Sequence, residues 1–146
     1  MTFDIPEVEV QHVTLEDAFP AVDPELKPLG ARVLIQFKQT PRKTTKSGII
    51  LVEETKETER WNTQVGKVIA IGPIAFKKRD SNEPWPEGAW AKAGDFVRVP
   101  KWGGDRIAVP FKNADGENDE ALFAVFNDFE LISEVTGDPL KVRAFL

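Results

Sequence analysis

The 146-residue chain contains no cysteine and no tyrosine, one histidine and one methionine. Without cysteine there can be no disulfide, no thiolate nucleophile and no cysteine-ligated zinc, so a reducing compartment, the cytoplasm, is the expected home. His12, the lone histidine, stands in an acidic stretch and is expected to be a solvated residue rather than a metal ligand. No apolar run approaches the ~20 residues that span a bilayer, and no basic start leads into an apolar stretch, so neither a membrane span nor a secretion signal is expected. The net charge of -5 argues against a surface that tracks phosphates. No G-x-G-x-x-G occurs, and no helical pattern follows Gly103-Gly104 that would make it a phosphate cradle. The acids show no paired spacing that nominates a general acid and base, so an enzyme is not expected and no cofactor is implied.

Hydrophobic residues at 41% and charged residues at 29% indicate one soluble globular domain. Eleven prolines and ten glycines cut the chain into short pieces that suit strands and turns. Residues 1–26 form an acidic extension with Asp4, Glu7, Glu9, Glu16, Asp17, Asp23 and Glu25. Within it, Thr14 is placed to cap a short helix with Asp17 three residues on, and Pro20 and Pro24 stop it.

Ala31, Val33, Ile35 and Phe37 alternate with Arg32, Leu34 and Gln36, the period-two pattern of a strand. Further strands are predicted at Val65–Ile71, Phe96–Val99, Ile107–Val109, Ala121–Phe126 and Phe129–Ile132, the last continuing through Glu134-Val135. No segment carries a sustained helical stripe. The fold class is all-β, a small closed or partly closed barrel.

Two long connections remain, residues 38–64 and 74–92, and function is sought there first. From Lys38 to Ser47 the chain has Lys38, Arg42, Lys43 and Lys46, no acid and no large apolar residue. Such a stretch buries too little surface to offset its ordering entropy and is expected to be mobile. Gly48 and the apolar tetrad Ile49, Ile50, Leu51 and Val52 follow, and then a polar return to Gln64 broken only by Trp61. By pattern alone the tetrad is either one more buried strand or a docking peptide for another protein's groove. Burial of Ile49, Ile50 and Leu51 at ~1.5–3 kcal/mol each exceeds the ~2–5 kcal/mol cost of ordering a loop. One loop therefore binds weakly, and several on one oligomer bind by avidity.

Five segments in order resemble the GroES-type co-chaperonins. Lys27-Pro28-Leu29-Gly30-Ala31-Arg32-Val33-Leu34-Ile35 resembles the family's opening strand, and Ser47-Gly48-Ile49-Ile50-Leu51 its mobile-loop motif. Val65 to Gly72 is similar to the segment after that loop, Lys92 to Val97 to the Val-Gly-Asp-x-Val turn, and Phe129 to Ile132 to the last strand. The resemblance covers residues 27–135 and implies a GroES-like β-barrel over residues 27–136, with a mobile loop at 38–64, a roof hairpin at 74–92 and a C-terminal extension at 137–146.

It further implies a homo-oligomer, usually a heptamer, that caps a GroEL-type chaperonin and encloses an unfolded client protein. Ile49, Ile50 and Leu51 would contact the chaperonin, with Gly48 permitting a sharp turn before them. The first strand (31–37) and the last (129–135) would lie at the seam between subunits. Trp85, Trp90 and Trp102 would belong to the roof or face the chamber, ordinary packing being the alternative for each. The long roof segment and both extensions depart from the usual family pattern and resemble the elaboration of bacteriophage-encoded lids, for which a viral capsid protein would be the client. Two rival readings stay open: a barrel that binds single-stranded nucleic acid through Lys38–Lys46 and Lys77-Lys78-Arg79, and a structural, capsid-associated β-protein.

Overall fold

A computed structural model describes residues 7–9, 14–39, 43–45 and 64–142. In chain order it contains β1 (Glu7–Glu9), helix α1 (Leu15–Ala18), β2 (Arg32–Phe37), β3 (Lys43–Thr45), β4 (Val65–Ile71), β5 (Phe96–Arg98), β6 (Asp105–Lys112), β7 (Asn118–Asn127), a 3₁₀ turn (Asp128–Glu130) and β8 (Ser133–Glu134). Six strands form one antiparallel sheet in the order β6-β7-β2-β4-β5-β8. β1 and β3 form a separate antiparallel pair.

The alternating pattern of β2 places Val33, Ile35 and Phe37 on one face, against Val68, Val97, Val99, Leu122, Ala124, Phe126 and Leu131 in the principal core. The sheet curls around this cluster as a small GroES-like β fold. The other face is buried as well. Leu34 packs with Ala121 and Phe123 in a second cluster, and the Gln36 side-chain amide donates to the Pro20 carbonyl at 2.8 Å. A strand covered on both faces is an interior strand, and β2 is paired along both edges, to β4 and to β7. The expectation that residues 31–37 lie at an open subunit seam is therefore incorrect.

A second correction concerns Phe129–Ile132, which is not a strand. Residues 128–130 turn as a 3₁₀ helix with a capping box between Asn127 and Glu130. The chain then returns to the sheet at β8, where Val97 pairs with Glu134 and Arg98 with Ser133. The turn leaves Phe129 and Ile132 well exposed, at 63% and 58%.

The acidic extension is built into the barrel from residue 14 onward. Thr14 caps α1 by accepting from the Asp17 N–H at 3.1 Å, as the sequence predicts. The helix delivers Ala18 and Phe19 into a third apolar cluster with Val65, joined by Phe96, Leu140 and Val142. Both chain extensions thus cover the same end of the sheet.

Between β4 and the 74–92 segment, the backbone closes so tightly at Gly72 that an added Cβ would sit 2.2 Å from the Gly30 carbonyl oxygen. Because that neighbour is backbone, it cannot swing aside. Gly72→Ala is expected to destabilise the fold by about 1–3 kcal/mol, read as a lower denaturation midpoint with an unchanged slope.

Candidate functional site

The 38–64 connection is the longest that the sheet leaves open, and its two ends are fastened side by side. The Lys38 N–H donates to the Val65 carbonyl at 3.1 Å, and the Gln39 N–H to the Ala18 carbonyl at 2.8 Å. At the return, the Val99 N–H donates to the Gln64 carbonyl at 2.9 Å, and the Gln64 side-chain amide donates back to the Val99 carbonyl at 3.0 Å. The Lys38 ammonium caps the C-terminal extension by donating to the carbonyls of Val142 (2.6 Å) and Pro139 (3.3 Å). A cation held by two carbonyl dipoles thus binds the C-terminal extension to the loop's root. The loop therefore leaves a rigid frame, which is the arrangement needed to present a peptide at a fixed place.

Gly48, Ile49, Ile50 and Leu51 fall within residues 46–63, outside the described residues. Lys43–Thr45, in the stretch whose composition predicts no order, is instead the strand β3 paired with β1. Composition reports what a segment can bury by itself, and a partner strand supplied by the N-terminal extension escapes it.

The 74–92 segment seals the principal core. Ala75, Phe76 and Ala91 are core residues, and Trp85 and Trp90 pack against them. Trp85 meets Trp90 edge to face at 4.8 Å and Phe76 at 5.5 Å. Phe76 has φ +62°, a left-handed conformation costly for a bulky side chain. It is stabilised by Asp128, whose carboxylate accepts the Phe76 N–H at 2.8 Å. The same carboxylate accepts from the Arg79 guanidinium at 2.8 and 2.9 Å and from its neighbour's N–H, that of Phe129, at 2.8 Å. Asp128 is 0% exposed, whereas Arg79 remains half in solvent. One buried carboxylate thus fixes the start of the 74–92 segment to the end of β7.

Trp102 is different from the other two, with 69% exposure on the turn before β6. That turn is stapled by Arg106, which donates to the carbonyls of Gly103 (2.9 Å), Pro100 (3.1 Å) and Lys101 (3.2 Å). Its guanidinium also lies over the rings of Phe37 (4.7 Å) and Phe126 (5.8 Å). Burial lowers the Arg106 pKa from its ordinary value, yet such a group stays charged at any physiological pH. The structure thus holds Trp85 and Trp90 inward against the core and Trp102 outward on a fixed turn.

Sequence reasoning missed the tie between Asp128 and Arg79 and the staple of Arg106. It also missed the exposed apolar residues Leu26 and Leu29 ahead of β2. For the last of these a signal existed, because large apolar side chains beside Pro24 and Pro28 have no periodic partner within the segment.

The family model for the Chaperonin 10 Kd subunit (Cpn10) matches residues 25–125. Among curated proteins, the chain is 28% identical over 116 residues to the Co-chaperonin GroES of Methylacidiphilum infernorum, covering 80% of this chain and 99% of that one. It is 33% identical over 111 residues to the mitochondrial 10 kDa heat shock protein of Saccharomyces cerevisiae, covering 76% and 89%. It is 41% identical over 85 residues to the Co-chaperonin GroES of Staphylococcus carnosus, covering 58% and 80%. No solved structure matches it. With the family model spanning the whole of β2 through most of β7, and the curled antiparallel sheet carrying a long connection between β2 and β4, the chain belongs to the Cpn10 family.

Proposed function

We propose that this protein is a co-chaperonin, an oligomeric lid subunit that caps a GroEL-type chaperonin ring and encloses a folding client during an ATP-dependent cycle. The observation that carries this is the match to the Cpn10 family across residues 25–125, a family that is not a class of enzymes. The framed root of the 38–64 loop supports it, because a peptide that must reach a second protein needs a fixed point of departure. Ile49, Ile50 and Leu51 supply the apolar contact with the chaperonin, and Gly48 lets the backbone turn ahead of them. Trp102 is the aromatic presented to the chamber, while Trp85 and Trp90 brace the roof segment. The oligomer is a heptamer, and the enlarged roof and both extensions fit a bacteriophage-encoded lid whose client is a capsid protein. ATP is hydrolysed by the chaperonin, and this subunit does no covalent chemistry.

Subunit contact is expected along the outer edge of β8, which has no second partner strand among the described residues, beside the exposed apolar side chains of Phe129 and Ile132. Ile132→Asp is expected to shift the protein from oligomer to monomer in sedimentation velocity, because the charge would be buried unpaired at the seam. The function itself is tested by refolding a client that cannot fold unaided, with chaperonin, ATP and this protein as the sole lid. Recovery of native client that depends on all three components supports the reading. Recovery no better than with chaperonin and ATP alone contradicts it.

A further inference from the structure

The pairing of β1 with β3 joins the acidic extension to the basic arm of the loop. In register, Glu7 lies opposite Thr45, Val8 opposite Thr44 and Glu9 opposite Lys43. Residues 38–46 carry Lys38, Arg42, Lys43 and Lys46 with no acid, and residues 1–26 carry acids with no lysine or arginine. Opposite charges directly across an antiparallel pair stabilise it, and like charges there destabilise it. Three residues separate Thr45 from Ile49, the first of the apolar triplet.

We propose that the N-terminal strand Glu7–Glu9 is a strap that holds residues 43–45 of the loop's ascending arm, so that these residues are already in place when the apolar triplet docks. The proposal rests on the co-chaperonin reading and adds to it a function for the acidic extension. Ordering entropy is the main cost a docking loop bears, at ~1–2 kcal/mol for each backbone residue fixed. A pair of short strands is marginal by itself in water. The strap therefore restrains the arm without locking it. It is anchored at its far end. Residues 10–13 lead to the Thr14-capped helix, whose Ala18 and Phe19 are buried against Val65 at the loop's root. The strap and the frame thus hold the same arm at two places, the Gln39 N–H on the Ala18 carbonyl and β3 on β1.

The test compares four proteins for binding to a GroEL-type ring in the presence of ATP. They are the full chain, a variant lacking residues 1–12, Glu9→Lys, and the charge swap Glu9→Lys with Lys43→Glu. The deletion spares Thr14 and Phe19, and the point variants lie outside the barrel, so each is expected to keep the oligomer. Removal of the strap is expected to weaken binding ~10-fold per loop, equivalent to about 1.4 kcal/mol, and more in the oligomer through avidity. Glu9→Lys is expected to weaken it ~5-fold per loop, and the swap to restore it. In the free protein, amide exchange at residues 43–45 is expected to quicken in the deletion and in Glu9→Lys. Equal binding by all four proteins overturns the strap and leaves the co-chaperonin reading intact. Tighter binding by the deletion also overturns it, since the strand would then be masking the loop. If the full chain does not bind at all, the co-chaperonin reading fails and the strap's role fails with it.

Discussion

Ile50→Asp is expected to abolish chaperonin-assisted refolding while leaving the oligomer assembled. The side chain lies at the centre of the Ile49-Ile50-Leu51 triplet, three of the four residues of the loop's apolar tetrad. Loss of its burial removes ~1.5–3 kcal/mol per loop, and an unpaired carboxylate in an apolar groove costs several kcal/mol more. In the proposed lid, where several loops bind at once, the penalty is multiplied across the ring. The expected yield of refolded client is that of chaperonin and ATP alone. Sedimentation velocity separates this result from collapse of the lid, since the substitution lies far in sequence from Phe129 and Ile132. Ile50→Val, which keeps most of the apolar area, is expected to retain most of the refolding yield.

The second large effect is expected at Asp128. Its carboxylate is fully buried and accepts the Phe76 N–H, the Arg79 guanidinium and the Phe129 N–H. Asp128→Ala removes every one of those acceptors. The Arg79 side chain can turn to solvent, but the Phe76 N–H cannot, and its left-handed backbone loses the bond that stabilises it. A loss of about 1–3 kcal/mol is expected, the cost of leaving the buried Phe76 N–H without an acceptor. Asp128→Asn keeps one acceptor oxygen and is expected to cost less than Asp128→Ala. Urea unfolding monitored by tryptophan emission reads both, because Trp85 and Trp90 pack on the segment that Asp128 holds. A loss for Asp128→Ala no larger than that of an exposed substitution would show that the 74–92 segment is fixed by its aromatic packing alone.

How far the sequence announced this structure depends on the range of the interaction concerned. β4 is found at Val65–Ile71 as its apolar pattern predicts, and β2 begins one residue later than its alternation suggests. Both are strands whose own side chains fill the core. β6 and β7 run longer than expected, to Asp105–Lys112 and Asn118–Asn127. The residues that β7 gains at its start, Asn118, Asp119 and Glu120, are polar, and pairing with β6 rather than burial of their side chains keeps them extended. At Phe129–Ile132 an apolar run is mistaken for a strand. Asn127 and Glu130 instead close a capping box, and a backbone turned by its own side chains cannot continue the ladder.

The partners of Asp128 could not be read at all. Arg79 and Asp128 are 49 residues apart, and no local pattern marks a carboxylate that will be buried by a distant segment. The same limit applies to Glu7–Glu9 and Lys43–Thr45, whose opposite charges are plain in the sequence but whose register is not. For the proposed docking residues the balance is reversed. Gly48, Ile49, Ile50 and Leu51 are conspicuous in the sequence because they are apolar where their surroundings are not. They lie outside the described residues, so their role rests on composition, on the family and on the frame from which their loop departs.

Amide hydrogen exchange across residues 48–52, in the free oligomer and in its ATP-dependent complex with a chaperonin ring, bears on this role most directly. Exchange close to the rate of an unstructured peptide in the free oligomer, slowed many-fold in the complex, is the expected result. Strong protection of Ile49, Ile50 and Leu51 in the free oligomer, unchanged on adding chaperonin, would mean that the subunit shelters these side chains itself and has none to offer a partner.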